Sequence, residues 1–256
     1  MKTKTKAWVN LVMLGITLVV NFLGATGKIN GTSQAEVSNS YQTLITPAGF
    51  TFSIWSVIYT LLVISMITLL VKSKDSYYTQ VIEGMSPLLW LSYLTNIIWI
   101  VLFSYRLVGL STIFIFAYLF SLSGILIQLK NITQERQWLL GLTFGLNTGW
   151  LFIASVVNVA AFLIKIEWNG FGLSYSNWAI IIMIVSLLLA FFVSSMVKNA
   201  AFPLPIAWAF FGIFMELQKT EGNGLLGIIA IVCMLFLVLL SVISFRRNRN
   251  SIFPVI

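Results

Sequence analysis

Histidine is absent from the 256 residues, cysteine occurs once, and only 9% of the chain is charged. The lack of histidine excludes His-dependent triads, His-bound zinc and an axial His for haem iron. The lone Cys233 lies in an apolar run, so no internal disulfide can form and the redox compartment is not indicated. Acids are nearly as scarce. The seven of them are Glu36, Asp75, Glu83, Glu135, Glu167, Glu216 and Glu221, and the sequence places all in loops or at helix ends. With none in mid-membrane, a carboxylate proton relay has no material, and no acid–base set points to an enzyme. Polar stretches are also short, the longest about 22 residues, which leaves no room for a separate soluble domain.

Apolar residues fill that space. They make up 59% of the chain, and a mean hydropathy of +0.98 marks an integral membrane protein. Eight runs are long enough to be read as membrane helices: 8–26, 49–71, 87–105, 107–129, 139–164, 176–197, 200–217 and 225–245. The fold class predicted is therefore an all-α membrane protein, a bundle of about eight transmembrane helices. The first run follows Lys2, Lys4 and Lys6 as a signal peptide would, but it is long for one and carries Asn21, so it is read as a retained helix. Pro203 and Pro205 shorten or break the seventh.

Charge orients the bundle. Eight spans put eleven Lys and Arg on the side of the termini and only Lys28, Arg106, Lys165 and Lys219 on the other. The positive-inside rule then predicts a multi-pass protein of the cell membrane with both termini cytoplasmic. The net charge of +8 is explained by that partition, so the bilayer is the expected partner and nucleic acid is not. The longest loop, 27–48, falls outside, where a loop of this length can serve as a lid.

Polar residues inside the runs are arranged in stripes. Taking Asn147 as zero at 100° per residue, Trp150, Ala154 and Asn158 fall within about 60° of it, while Gly141, Gly145 and Gly149 occupy the opposite face. One face of this helix suits close helix packing, and the other suits something polar and aromatic. The third run carries Ser92, Asn96, Trp99 and Phe103 on one stripe, and the second carries Thr51, Phe52, Trp55 and Tyr59. Trp8, Trp90, Trp138, Trp168 and Trp178 lie where interfacial anchoring accounts for them. Trp99 and Trp150 lie deeper, each sharing a face with an amide.

These stripes resemble motifs of the TspO/MBR family, the translocator or tryptophan-rich sensory proteins. The fifth run is similar to A-W-x-x-x-A-x-x-x-N, with Gly149-Trp150, Ala154 and Asn158. The third resembles L-N-x-x-W-x-x-x-F through Asn96, Trp99 and Phe103, and the second resembles P-x-x-F-x-x-x-W-x-x-x-Y through Pro47, Trp55 and Tyr59 with a shifted Phe. The resemblance covers 1–165 and implies a five-helix bundle there, leaving 166–256 as a three-helix C-terminal extension. Two features of the pattern are missing. No Tyr follows Asn158, so sterol binding is not carried over, and Ile100-Val101 replace a Pro-rich turn.

The resemblance implies a pocket for a flat hydrophobic ligand of porphyrin type between the second, third and fifth helices. Its expected lining is Trp55, Tyr59, Asn96, Trp99, Asn147, Trp150, Ala154 and Asn158. No resident cofactor is expected, porphyrin entering only as ligand, and without histidine a tetrapyrrole would be held by packing. The partners read from the chain are thus the lipid bilayer and a hydrophobic small molecule such as a tetrapyrrole, with a homodimer as the oligomer the reading admits. The alternative is a small-molecule transporter or permease subunit in which the last three helices move about the Pro203/Pro205 break.

Overall fold

The computed structural model describes residues 1–132, 138–219 and 223–254. Glu135, Arg136 and Glu221 lie outside the described residues. The helices are α1 Thr3–Ala25, α2 Gln34–Ser40, α3 Ile54–Val71, α4 Ser76–Ser104, α5 Val108–Ile132, α6 Trp138–Lys165, α7 Tyr175–Val197, α8 Pro203–Leu217 and α9 Gly224–Arg247. Short 3-10 turns at Gly49–Ser53 and Gly170–Gly172 precede α3 and α7. Among the described residues, seven helices are long and apolar enough to cross a membrane, counting Gly49–Val71 as one. The protein is an all-helical, multi-pass membrane protein, as its composition requires.

The seventh apolar run is a shorter helix. With 15 residues α8 spans only about 22 Å, less than the roughly 30 Å of a bilayer core. Pro203 and Pro205 sit in its first turn, where a missing N–H costs nothing. The chain before it, Asn199 to Phe202, is buried without being helical. Irregular backbone is tolerated at such depth only when its polar groups find partners in the protein. They do: Ala201 and Phe202 donate to the Asn199 Oδ1, Ala200 donates to the Ile252 carbonyl, and Ser241 Oγ donates to the Ala200 carbonyl at 2.6 Å.

The third run also differs in extent. Hydropathy starts it at residue 87, but α4 begins at Ser76, capped by Asp75 Oδ1, which accepts from the Tyr77 and Tyr78 amides. Polar residues 76–84 hide this stretch from a hydropathy reading, and Pro87 suggests a start although it lies inside the helix. Glu83 is therefore within a helix rather than at its end, paired with Lys6 and accepting from Thr3 Oγ1.

Five of the long helices close a ring in the order α1, α3, α6, α5, α4 and back to α1. One polar residue from each helix joins across its interior. Tyr59 of α3 donates to Asn21 of α1 at 2.6 Å, and Asn21 donates to Asn96 of α4 at 3.2 Å. Tyr118 of α5 meets Asn147 of α6 at 3.4 Å. Nearer the termini, Asn10 of α1 binds Ser86 and accepts from the Trp90 indole, fixing α1 parallel to α4.

Helices α7, α8 and α9 lie outside the ring, and α8 docks on α6. The docking surface is the glycine face. A Cβ at Gly141 would meet Ile252 and Phe253, at Gly145 Asn199 and Ala201, and at Gly149 the Phe202 carbonyl and Pro205. The small-residue stripe thus brings the backbone of 199–205 and the C-terminal segment against α6. Its partner is a buried turn followed by a helix start, rather than the flank of a helix.

Candidate ligand cavity

A cavity of about 320 Å³ lies inside the ring, toward the end away from the termini. Six of the eight residues expected to line it do so: Trp55 and Tyr59 from α3, Trp99 from α4, and Trp150, Ala154 and Asn158 from α6. The indole of Trp150 stands edge-on to Trp55 (ring centroids 6.1 Å, 87°) and to Phe52 (6.0 Å, 90°). Trp55 in turn stacks on Tyr59 at 5.0 Å. Such orthogonal pairs set the positive edge of one ring against the negative face of the next, and they fix the walls.

Asn96 and Asn147 are not in the lining. Their side chains are spent in the interhelical bonds to Asn21 and Tyr118, because amides inside a bundle must be paired. Thr51 also leaves the stripe expected of it: the 3-10 turn rotates it toward α8, where it is buried near Gly212 and its carbonyl accepts from the Trp208 indole. Helical spacing of 100° per residue does not hold through a 3-10 turn, which advances about 120°.

Asn158 reaches the cavity with its amide already committed. Its Oδ1 accepts from the Trp99 indole at 3.2 Å, and its Nδ2 donates to Thr112 Oγ1 at 2.6 Å and Ser111 Oγ at 3.3 Å. It therefore positions Trp99 and ties α4, α5 and α6 together. Asn158→Leu is expected to lower stability by about 1–3 kcal/mol, since it leaves the buried Trp99 N–H unpaired. A thermal shift in detergent checks this, with ligand affinity falling far less than stability.

The sequence reading missed Asn21 and the contribution of the first loop. Residues 27–48 hold α2, which lies over the cavity with Gln34, Ala35, Ser38 and Asn39 in its lining. Val37 anchors α2 in a small apolar cluster with Phe103, Val108 and Ala161. The signal was present as a capping box: Ser33 Oγ accepts from the Glu36 amide, and the Glu36 carboxylate accepts from the Ser33 amide at 2.6 Å. These hydrogen bonds from Ser33 hold the Glu36 carboxyl below the usual carboxylate range. A carboxyl with a depressed folded value stabilises α2 above its ordinary value and loses that contribution as pH falls through the lowered one. Protection of the amides across 34–40, with the intrinsic pH dependence of exchange divided out, is expected to fall on acidification in that window. Glu36→Gln should flatten the response, and an unchanged acid response in that variant would contradict the assignment.

Two buried donors around the cavity have no partner, the Trp150 Nε1 and the Gln34 Nε2. Both residues line it, one from α6 and one from the overlying α2. Among the described residues no group of His, Cys, Asp or Glu could hold a metal ion.

No curated protein and no solved structure matches the chain. A model of the family described as TSPO-like protein matches residues 7–243, which takes in the ring, α7, α8 and most of α9. With the aromatic motifs of α3, α4 and α6 meeting at one cavity and a family match over nearly the whole length, the chain belongs to the TSPO-like protein family.

Proposed function

We propose that the protein binds a flat apolar small molecule of tetrapyrrole type in the cavity between α3, α4 and α6, without transforming it. The observation that carries this reading is the pairing of fixed indole walls with the unpartnered donors of Trp150 and Gln34. A buried N–H with no partner costs about 1–3 kcal/mol. A ligand whose rim carries a carbonyl or carboxylate would remove that cost while its plane lies on the aromatic walls. At about 320 Å³ the cavity is near the lower limit for small-molecule pockets, so a porphyrin requires α2 to shift outward as it enters. The tryptophan-rich sensory reading of the family agrees with such a role.

Protoporphyrin titrated into purified protein in nanodiscs tests this. Saturable quenching of tryptophan fluorescence is expected, weakened in Gln34→Leu. Quenching that rises linearly, with no plateau, would overturn the reading.

The same proposal places the protein in the cell membrane with termini in the cytoplasm and α2 outside, supported by the asymmetry of basic residues. Asn39 and Lys74 are exposed at opposite ends of the bundle and Cys233 is buried. In a Cys233→Ser background, an impermeant thiol reagent on intact cells is expected to label Asn39→Cys and spare Lys74→Cys. The reverse pattern would invert the topology.

A further inference from the structure

A second, larger cavity of about 890 Å³ lies at the same end of the bundle but outside the ring. It fills the gap between the last turns of α6 and α8, the first turns of α7, and residues 42–46. Helix α6 is the wall between the two spaces, with Ala160 lining the outer cavity and Ala161 the inner one.

Much of its polar lining is engaged within the protein. The Thr43 and Thr46 hydroxyls bond each other at 3.1 Å, and the Asn169 and Ser174 side chains accept from the Phe171 and Asn177 amides. The Trp178 indole donates to the Gly170 carbonyl at 2.7 Å. A left-handed backbone at Gly170 (φ +63°) lets the chain pass that close, since a Cβ there would press on Trp178 Nε1. Among the described residues of the lining the one carboxylate, Glu216, is paired with Lys219 at 2.7 Å and accepts from Gln42. The apolar groups that face a ligand include Leu163, Ile164, Ala179, Ile182 and the indole pair Trp168–Trp178.

The neighbouring surface is apolar and exposed. Phe171 is 80% exposed, Tyr175 73% and Leu173 45%. In a membrane protein, aromatic residues at helix ends sit at the boundary between headgroups and acyl chains. A space with aliphatic and indole walls below a polar mouth, its described carboxylate paired and its rim an interfacial aromatic collar, matches an acyl chain whose headgroup stays at the collar. We propose that this outer cavity holds one acyl chain of a zwitterionic phospholipid from the surrounding bilayer.

The full chain in phosphatidylcholine liposomes containing a trace of phosphatidylcholine with a mid-chain diazirine provides the test, with adducts mapped by mass spectrometry after irradiation. Adducts are expected to concentrate on the segments carrying Ile164 and Ile182. Filling the space with Ile182→Trp, or with Leu163→Trp should the first variant misfold, is expected to cut them roughly tenfold, equivalent to about 1.4 kcal/mol. Ala154→Phe, which acts on the inner cavity, should leave them unchanged. Labelling spread evenly over the bilayer-facing Leu188 and Leu235, and indifferent to both tryptophan variants, would overturn the proposal. So would a diazirine fatty acid that labels the site more strongly than the phospholipid at equal mole fraction, since the occupant would then be a free amphiphile. Because no porphyrin is used, failure here is separate from failure of the inner-cavity reading.

Discussion

Gly149→Leu is expected to lower the melting temperature in detergent more than any other single change on α6. A Cβ at that position would overlap the Phe202 carbonyl and approach Pro205 Cγ to 2.8 Å. The obstacle is backbone and a proline ring, neither of which can turn aside as a flexible side chain would. Overpacking typically costs about 1–3 kcal/mol, and a rigid neighbour puts this site at or beyond the upper end. Gly145→Leu should behave similarly by displacing Asn199, whose carbonyl caps the buried turn and whose amide donates to the Gly141 carbonyl at 2.8 Å. Gly15→Leu is the control, because a Cβ on that exposed glycine of α1 meets nothing within 4 Å. Wild-type melting in both α6 variants would mean that α8 does not dock on the glycine face.

Ala154→Phe is expected to abolish saturable porphyrin quenching while leaving fold and topology intact. Ala154 is half-buried, lines the inner cavity, and sits one turn beyond Trp150 on the same face of α6. A phenyl ring there would occupy space in a cavity of only about 320 Å³. Trp150→Ala should weaken binding by roughly 1–3 kcal/mol, the scale for a large aromatic contact at a hot spot. It also removes one of the two unpartnered donors, so ligands lacking a rim acceptor should lose less than those carrying one. Normal binding by Ala154→Phe would assign the aromatic stripe to helix packing and favour the transporter alternative.

Much of this architecture could be read from the residues. The all-helical membrane class, the positions of the long apolar helices and the two-faced character of α6 follow from composition and a 3.6-residue period, because bilayer thickness and backbone hydrogen bonding allow few other solutions. Trp55, Tyr59, Trp99, Trp150, Ala154 and Asn158 converge as their stripes suggested. Helix ends were less legible. The first turns of α4 are polar, and a hydropathy reading sees only the apolar part of a helix. The capping box of α2 is written in Ser33 and Glu36, but a polar seven-residue helix has no apolar run by which hydropathy could mark it.

The sequence by itself determined which residues are apolar, which helices can span, and which faces carry glycine or indole. Only the tertiary structure decided what those faces meet. Asn96, Asn147 and Asn158 look alike as amides within membrane helices, yet the first two close the ring and the third holds Trp99 in the cavity wall. The glycine face receives a buried turn rather than a helix flank. The physical reason is that an amide or a glycine specifies a requirement, a hydrogen-bond partner or a close approach. Several neighbours could meet either one, and the choice among them is made by how all the helices pack at once.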